Sequence, residues 1–294
     1  MNYEKYLEKN CKSLKGKWVA LTGSTGGLGK CIASFVARLG GNLILLNRNI
    51  KKSEQQAKQL QEDFGVETKI FKVDMSDMNS VRNACEKLQS EKIDFLILNA
   101  GAYSLPREKA ETGYDVVYQI NFISPYFMVK ELIEGLSENS GRVVVVGSIA
   151  HKYSRINSKD IDFSNEKAPR KVYGNAKRFL MFSLTRLFSQ EKKASLVLAH
   201  PGITPTNITS HYSKFVQAVV KYPMKMIFTS PRKSSLNIIK SMFCEIKQNQ
   251  WVGPRFFNIW GKPKIKSLNT CGVEEQNEIF EIAENIYKNL KKFD

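Results

Sequence analysis

Thr22-Gly23-Ser24-Thr25-Gly26-Gly27-Leu28-Gly29 follows a short apolar run, Trp18-Val19-Ala20-Leu21, and leads into a stretch whose apolar residues 28, 32, 35, 36 and 39 recur at helical spacing. The reading is strand, glycine turn, helix, with the helix beginning at about Gly27. Glycines at such a junction let the chain turn sharply and let a pyrophosphate approach the main chain. The helix then points its unpaired N–H groups and positive dipole end at the phosphates. Gly23, Ser24, Thr25, Gly27, Leu28 and Gly29 are therefore candidate phosphate-binding residues. A plain strand-to-helix turn accounts for the same eight residues, so the surrounding chain has to decide.

Working outward, strand and helix keep alternating. Asn42 to Leu46 is a compact buried strand ending at Asn47-Arg48, and residues 51–63 are polar and helix-forming. Val66 to Val73 is a third strand stopped by Asp74, and a helix over about 77–89 leads to a fourth, Ile93 to Leu98, closing on Asn99-Ala100-Gly101. A long helix over about 113–136 precedes the strand Arg142 to Val146 and Ser148; a helix over about 172–190 precedes the strand Ser195 to Ala199 and His200-Pro201-Gly202. Short continuous apolar strands separated by helices imply a doubly wound parallel sheet, a Rossmann-type α/β domain with helices on both faces. Ligands of such sheets sit beyond the strand C-terminal ends, where these punctuating residues lie.

The end of the second strand bears on which dinucleotide fits. An acid there binds the ribose 2′-hydroxyl of NAD. This chain has Asn47 with Arg48 beside it, so no carboxylate repels a 2′-phosphate and a guanidinium can pair with one. The expected cofactor is NADP(H).

Tyr173-Gly174-Asn175-Ala176-Lys177 carries the chemistry. Residues four apart on a helix share a face, so Tyr173 and Lys177 project together. A tyrosine hydroxyl titrates near pH ~10, and a neighbouring ammonium is expected to lower it toward the range useful for proton transfer. Ser148, at the end of a buried strand, can hold a substrate carbonyl or hydroxyl by hydrogen bonding.

Together these residues resemble the short-chain dehydrogenase/reductase family. The matching motifs are Thr22-Gly23-x-x-x-Gly27-x-Gly29, Asp74, Asn99-Ala100-Gly101, Asn121, Ser148, Tyr173-x-x-x-Lys177, and Pro201-Gly202 followed by Thr206, in the family's order over about residues 15–206. The resemblance implies that Tyr173 is the acid/base and Ser148 the substrate anchor. It implies that Lys177 binds the nicotinamide ribose and lowers the tyrosine pKa, while Asn121 holds a water in a proton relay. It places Asp74 and Met75 against the adenine, Asn99 to Gly101 at the adenosine ribose, and Pro201, Gly202 and Thr206 around the nicotinamide carboxamide. The 25 residues from Ser148 to Tyr173 make a longer gap than in most of the family. That length resembles the retinol-dehydrogenase-like and protochlorophyllide-reductase-like branches, which prefer NADP. Gly26 stands where many NADP-using members have a basic residue, which leaves more of the cofactor choice to Arg48.

Composition narrows what remains. With 294 residues, 42% of them hydrophobic, the chain can bury one large α/β domain, read as 1–294 with a cofactor and catalytic core over about 15–206. Residues from about 207 to 294 are expected to supply a C-terminal substrate lid and flanking elements. Five cysteines without CxxC spacing suggest reduced thiols in the cytoplasm. Met1 to Lys17 lacks the apolar core of a signal peptide, and no uncharged apolar run approaches a membrane span. Ser148 lacks the flanking glycines of a hydrolase elbow, and the histidines 151, 200 and 211 are too scattered to suggest a metal site.

The net charge is +17, and residues 211–270 hold eleven Lys or Arg against the single acid Glu245. No nucleic-acid motif accompanies that charge. Phe215 to Phe228 is apolar with scattered lysines and reads either as a lid helix or as an ordinary packed one. A further helix is expected over 231–243, an edge strand over 248–252, an irregular stretch from Gly253-Pro254, and a last amphipathic helix over Val273 to Lys292. The function expected is an NADP(H)-dependent oxidoreductase interconverting an alcohol and a carbonyl on a lipophilic small molecule. The alternatives are a catalytically idle NADP(H)-binding sensor or scaffold, and a basic binder of anionic membrane surfaces. Homo-oligomerisation and peripheral membrane association stay open.

Overall fold

The computed structural model describes residues 3–103, 105–203 and 229–292. Thr206, Lys221, Lys225 and the expected lid helix 215–228 lie outside the described residues.

The first strand, β1 (Trp18–Thr22), turns at the glycines into α2 (Gly27–Arg38), after a short α1 (Tyr3–Asn10) that the sequence reading did not single out. Then come β2 (Asn42–Asn47), α3 (Ile50–Phe64), β3 (Thr68–Lys72), α4 (Met78–Gln89) and β4 (Phe95–Leu98). Asn49 and Asp77 cap α3 and α4 by accepting the N–H groups of Lys52 and Ser80, so those helices start where a short polar side chain meets an unpaired donor. The long helix expected over 113–136 has three parts: a single turn α5 (Val116–Tyr118), a π-helical turn (Gln119–Ile123) and α6 (Ser124–Glu138). β5 (Arg142–Val146), a 3₁₀ turn (Ile149–Tyr153), α7 (Pro169–Phe188) and β6 (Ser195–Ala199) follow.

These strands join one eight-stranded sheet in the order β3-β2-β1-β4-β5-β6-β7-β8, parallel throughout except for the last pair. The short apolar runs are explained by two covered faces. Val19, Leu21, Leu43, Leu45, Ile97 and Val144 pack under α2 and α3 on one side. Ala20, Ile44, Leu46, Leu96, Val143 and Val145 pack under α4, α6 and α7 on the other. Neighbouring residues of one strand thus bury into opposite layers, leaving no polar alternation to read.

The C-terminal reading needs correction. After α8 (Pro231–Ser241), β7 (Gln250–Phe256) is an internal strand, pairing parallel with β6 at Ala199↔Val252 and antiparallel with β8 (Trp260–Ser267). The stretch after Gly253-Pro254 is therefore a hairpin, and β8 is the edge. Pro263 and the exposed Lys262 and Lys264 hid it, since an edge strand with neither face fully buried needs few apolar residues. α9 (Val273–Lys291) closes the described chain against α7 and α6.

Candidate active site

Thr22 ties the ends of β1 and β4 together. Its hydroxyl donates to the Ile97 carbonyl (3.3 Å) and accepts the N–H groups of Asn99 and Ala100 (2.9 Å each). Asn99 returns the contact, its Nδ2 donating to the carbonyls of Thr22 (2.9 Å) and Gly23 (3.1 Å). Gly23 has φ +67°, and a Cβ on it would lie 3.0 Å from Ala100 Cα. A Cβ on Gly29 would overlap the Gly23 carbonyl oxygen, so the loop folds back directly on the first turn of α2. Gly27 faces open space there.

Asn47 ends β2, as read from the sequence, and braces the glycine loop. It is buried, its Nδ2 donating to Ser24 Oγ (2.7 Å) and its Oδ1 accepting the Thr25 N–H (3.3 Å). Gln56 on α3 completes the brace: its Oε1 accepts from Ser24 Oγ (2.7 Å) and its Nε2 donates to the Ser24 carbonyl (3.0 Å). The reading missed Gln56, because one glutamine in a uniformly polar helix carries no signal. Arg48, by contrast, is 76% exposed at the end of β2, with its Nε 3.8 Å from Asp74 Oδ2. Asp74 Oδ1 accepts the N–H (3.0 Å) and hydroxyl (2.6 Å) of Ser76, and the buried Met75 accepts the Ser124 hydroxyl at its carbonyl (2.6 Å).

The 3₁₀ turn and α7 bring the second group together. Ser148 caps the turn, its Oγ accepting the Ala150 N–H (3.2 Å), and its carbonyl is 2.6 Å from His151 Nδ1. The buried His151 has its Nε2 2.7 Å from Thr270 Oγ1, and burial pushes its pKa down to about 4. A neutral ring between a carbonyl and a hydroxyl is best assigned with the proton on Nδ1, which fastens Ser148 from behind. A Cβ on Gly174 would overlap the Ala150 carbonyl oxygen, so α7 lies directly against this turn at the residue after Tyr173.

Lys177 is buried, with its Nζ donating to the Val146 carbonyl (3.1 Å) and standing 5.7 Å from the Tyr173 ring centre. Tyr103 packs edge-on to Tyr173, ring centres 5.3 Å apart. Asn121 sits in the π-helical turn, where one extra residue per turn re-aims a side chain. Its Nδ2 donates to the carbonyls of Ala102 and Val117 (2.8 Å each), and its Oδ1 accepts the Ala102 N–H (3.3 Å). A Cβ on Gly101 would stand 2.7 Å from Asn121 Oδ1 and 3.6 Å from Lys177 Nζ, so Gly101, Asn121 and Lys177 share one small volume. Pro201 and Gly202 follow β6; Gly202 has φ +91° and abuts the β7–β8 hairpin, where a Cβ would lie 2.9 Å from the Ile259 carbonyl oxygen.

The electrostatics reverse one expectation. Burial pushes the Tyr173 hydroxyl up to about 12; a hydrogen bond with Ser148 pulls the other way, and Tyr103 adds to the rise. Burial also pushes Lys177 down to about 8. The ammonium is desolvated and turned to the Val146 carbonyl, so it does not outweigh what the tyrosine loses by leaving water. His200, stacked on Trp251 with rings 5.2 Å apart, is likewise held near 4 by burial. Among the described residues no group of three or more His, Cys, Asp or Glu is placed to hold a metal ion.

The chain is similar to known proteins. Mouse (Mus musculus) retinol dehydrogenase 14 is 30% identical over 216 residues, which are 67% of this chain and 64% of that protein. The chain thus spans just under two thirds of that relative. Human (Homo sapiens) polyprenol dehydrogenase is 26% identical over 72% of this chain and 68% of its own. An uncharacterised protein of Mycobacterium paratuberculosis, at 22% identity, superposes with a TM-score of 0.75 over 94% of this chain and 95% of its own, which speaks for the fold. The short chain dehydrogenase family model matches residues 17–217, more than half of the chain and every described element from β1 to β6. On that match the chain belongs to the short chain dehydrogenase family, and it resembles the family's retinol-dehydrogenase-like branch.

Proposed function

We propose that this chain is an NADP(H)-dependent oxidoreductase that interconverts an alcohol and a carbonyl on a lipophilic substrate. The observation that carries the reading is the convergence of Ser148, Tyr173, Lys177 and Asn121 at the C-terminal ends of β4 and β5, beside the glycine loop. The residues present suit the cofactor. Gly23 and Gly29 leave backbone where a Cβ would collide, and β2 is followed by the exposed Arg48 guanidinium with no acid at position 47 or 48. In this reading Gly23 to Gly29 hold the pyrophosphate, Arg48 the 2′-phosphate, Asp74 and Met75 the adenine, Asn99 to Gly101 the adenosine ribose, and Pro201, Gly202 and Thr206 the nicotinamide end. The bound dinucleotide supplies or accepts a hydride.

The protein's own groups handle the proton. Tyr173, with its pKa near 12, is protonated at neutral pH and donates to the oxygen of a carbonyl held by Ser148. Lys177, with its pKa near 8, is largely charged at pH 7 and opposes the negative charge left on Tyr173. Asn121 fixes the Ala102 backbone and supports the proton path. Residues 15–206 form the cofactor and catalytic core, with a substrate cover drawn from 207–294. The lipophilic substrate is supported by relatives named for retinol and polyprenol, both long apolar alcohols. A cytoplasmic location fits an NADP(H) enzyme, free or resting on a membrane. The complete Ser148, Tyr173, Lys177 and Asn121 set argues against an idle sensor or scaffold.

The test follows NADPH absorbance over a panel of ketones and aldehydes that includes long-chain apolar ones. Consumption of NADPH is expected, and Tyr173→Phe should lower it by ~10²–10⁴-fold while leaving NADPH binding nearly intact. Binding without turnover of any carbonyl would return the sensor reading, and a failure to bind NADPH would refute the proposal.

A further inference from the structure

β7 and β8 meet in the tight turn Phe256-Phe257-Asn258-Ile259, closed by the Ile259 N–H donating to the Phe256 carbonyl at 2.9 Å. Both central residues have positive φ, +51° at Phe257 and +58° at Asn258. That is the requirement of the hairpin turn normally filled by Asn and Gly. Asn258 meets it, and Lys266 Nζ fastens the turn by donating to Asn258 Oδ1 (2.7 Å) and the Pro254 carbonyl (3.3 Å). Phe257 does not: a bulky side chain in the left-handed region is an outlier. Nor is it recompensed by burial, being 81% exposed beside Phe256 at 52% and Trp260 at 37%. A ring held in an unfavourable backbone conformation and left in water points to a use outside the fold.

Charge says what kind of surface would cover it. Arg255 lies over the Phe256 ring at 5.3 Å, and Lys262 and Lys264 are exposed along β8. Across 211–270 the one acid is Glu245. Aromatic rings at a tip flanked by cations match a bilayer interface, where rings sit at headgroup level and Lys and Arg meet anionic lipid. Placement agrees. β7 runs parallel to β6, so the hairpin tip lies at the same end of the sheet as the strand C-terminal ends that frame the site. The Ile259 carbonyl accepts the Thr229 hydroxyl (2.9 Å) and abuts Gly202, which follows β6 into the site.

We propose that the β7–β8 tip, Phe256, Phe257 and Trp260 with Arg255, Lys262 and Lys264, docks this chain on an anionic membrane surface. The docking sets the site mouth at the bilayer from which a lipophilic substrate is drawn. Only that benefit rests on the function proposed above; the docking itself is read without turnover, so either proposal can fail alone.

The test is cosedimentation of the full chain with phosphatidylcholine vesicles, with and without phosphatidylserine, at low and high salt. Binding is expected only with phosphatidylserine and should weaken with salt. Phe257→Asn should reduce partitioning about tenfold or more, since one exposed ring leaves the interface. The same change should leave the melting temperature equal or higher, because Asn suits positive φ. Lys262→Glu with Lys264→Glu should abolish binding, whereas Lys9→Glu with Lys12→Glu, two exposed lysines elsewhere and the same change in net charge, should not. Absence of sedimentation, wild-type partitioning by Phe257→Asn, or equal loss in both charge variants overturns the proposal. So does a chain that ignores vesicles but self-associates through Phe257, which would make the tip a protein contact.

Discussion

Lys177→Met tests the electrostatics of the site through stability alone. Lys177 is 3% exposed, donates to the Val146 carbonyl at 3.1 Å, and is pushed by burial from 10.5 to about 8. Its folded pKa lies below its unfolded one, so between about pH 8 and 10.5 the unfolded chain binds more protons. Stability contributed by this group is therefore lowest below pH 8, where a charge is buried, and rises with pH across that window. Between pH 7 and 9.5 the linkage relation gives a rise of about 2 kcal/mol from this residue. Tyr173 has the opposite sign, its raised pKa removing stability only from about pH 10 upward, so it does not enter the comparison. Urea unfolding followed by tryptophan fluorescence at pH 7 and 9.5, in wild type and Lys177→Met, gives the difference of differences, in which all other titrating groups cancel. Wild type should gain about 2 kcal/mol more than the variant over this interval. An equal pH dependence in the two proteins would show that the Lys177 ammonium is not desolvated, and the reading of its charge would be wrong.

Two further outcomes concern the cofactor site. Arg48→Ala should reduce the preference for NADPH over NADH by roughly ten- to hundredfold, the equivalent of about 1.5–3 kcal/mol for a charge-assisted contact; titration of both dinucleotides checks it, and an unchanged preference excludes Arg48 from the 2′-phosphate. Gly29→Ala places a methyl group on the Gly23 carbonyl oxygen and should destabilise the fold by about 1–3 kcal/mol as well as weaken NADPH binding; thermal melts with and without NADPH read both, and wild-type behaviour would mean the loop has room to relax.

The parallel core was legible because its physics is local. Each of Val19 to Thr22, Leu43 to Leu46 and Val143 to Val146 is buried on both faces, so a short apolar run between helices had one ready explanation. The far edge was not, and the reason is the same physics reversed. β8 buries neither of its faces fully, and its exposed Trp260, Lys262 and Lys264 leave a pattern that could equally be a loop. Only pairing with β7, a non-local event, makes it a strand. The π-helical turn over Gln119–Ile123 escaped for another reason: the chain from Val116 to Val129 is buried nearly all round, so it has no single apolar stripe whose phase an extra residue could shift visibly.

The site shows a second limit, between position and environment. The spacing of Tyr173 and Lys177 places them on one face of α7, and they stand there. The sign of the tyrosine shift depends instead on what surrounds both groups. Two opposite effects compete: an ammonium nearby favours the tyrosinate, and removal from water disfavours it. In this fold Tyr103 covers the ring, α7 presses onto the 3₁₀ turn at Gly174, and Lys177 is held by the Val146 carbonyl, so desolvation wins and the hydroxyl rises to about 12. None of those contacts is encoded by the Tyr-to-Lys spacing. In the role proposed above, a tyrosine that stays protonated at neutral pH would hold the proton that a carbonyl oxygen receives, and Lys177 would oppose the charge left on Tyr173 while it keeps its own proton, up to about pH 8.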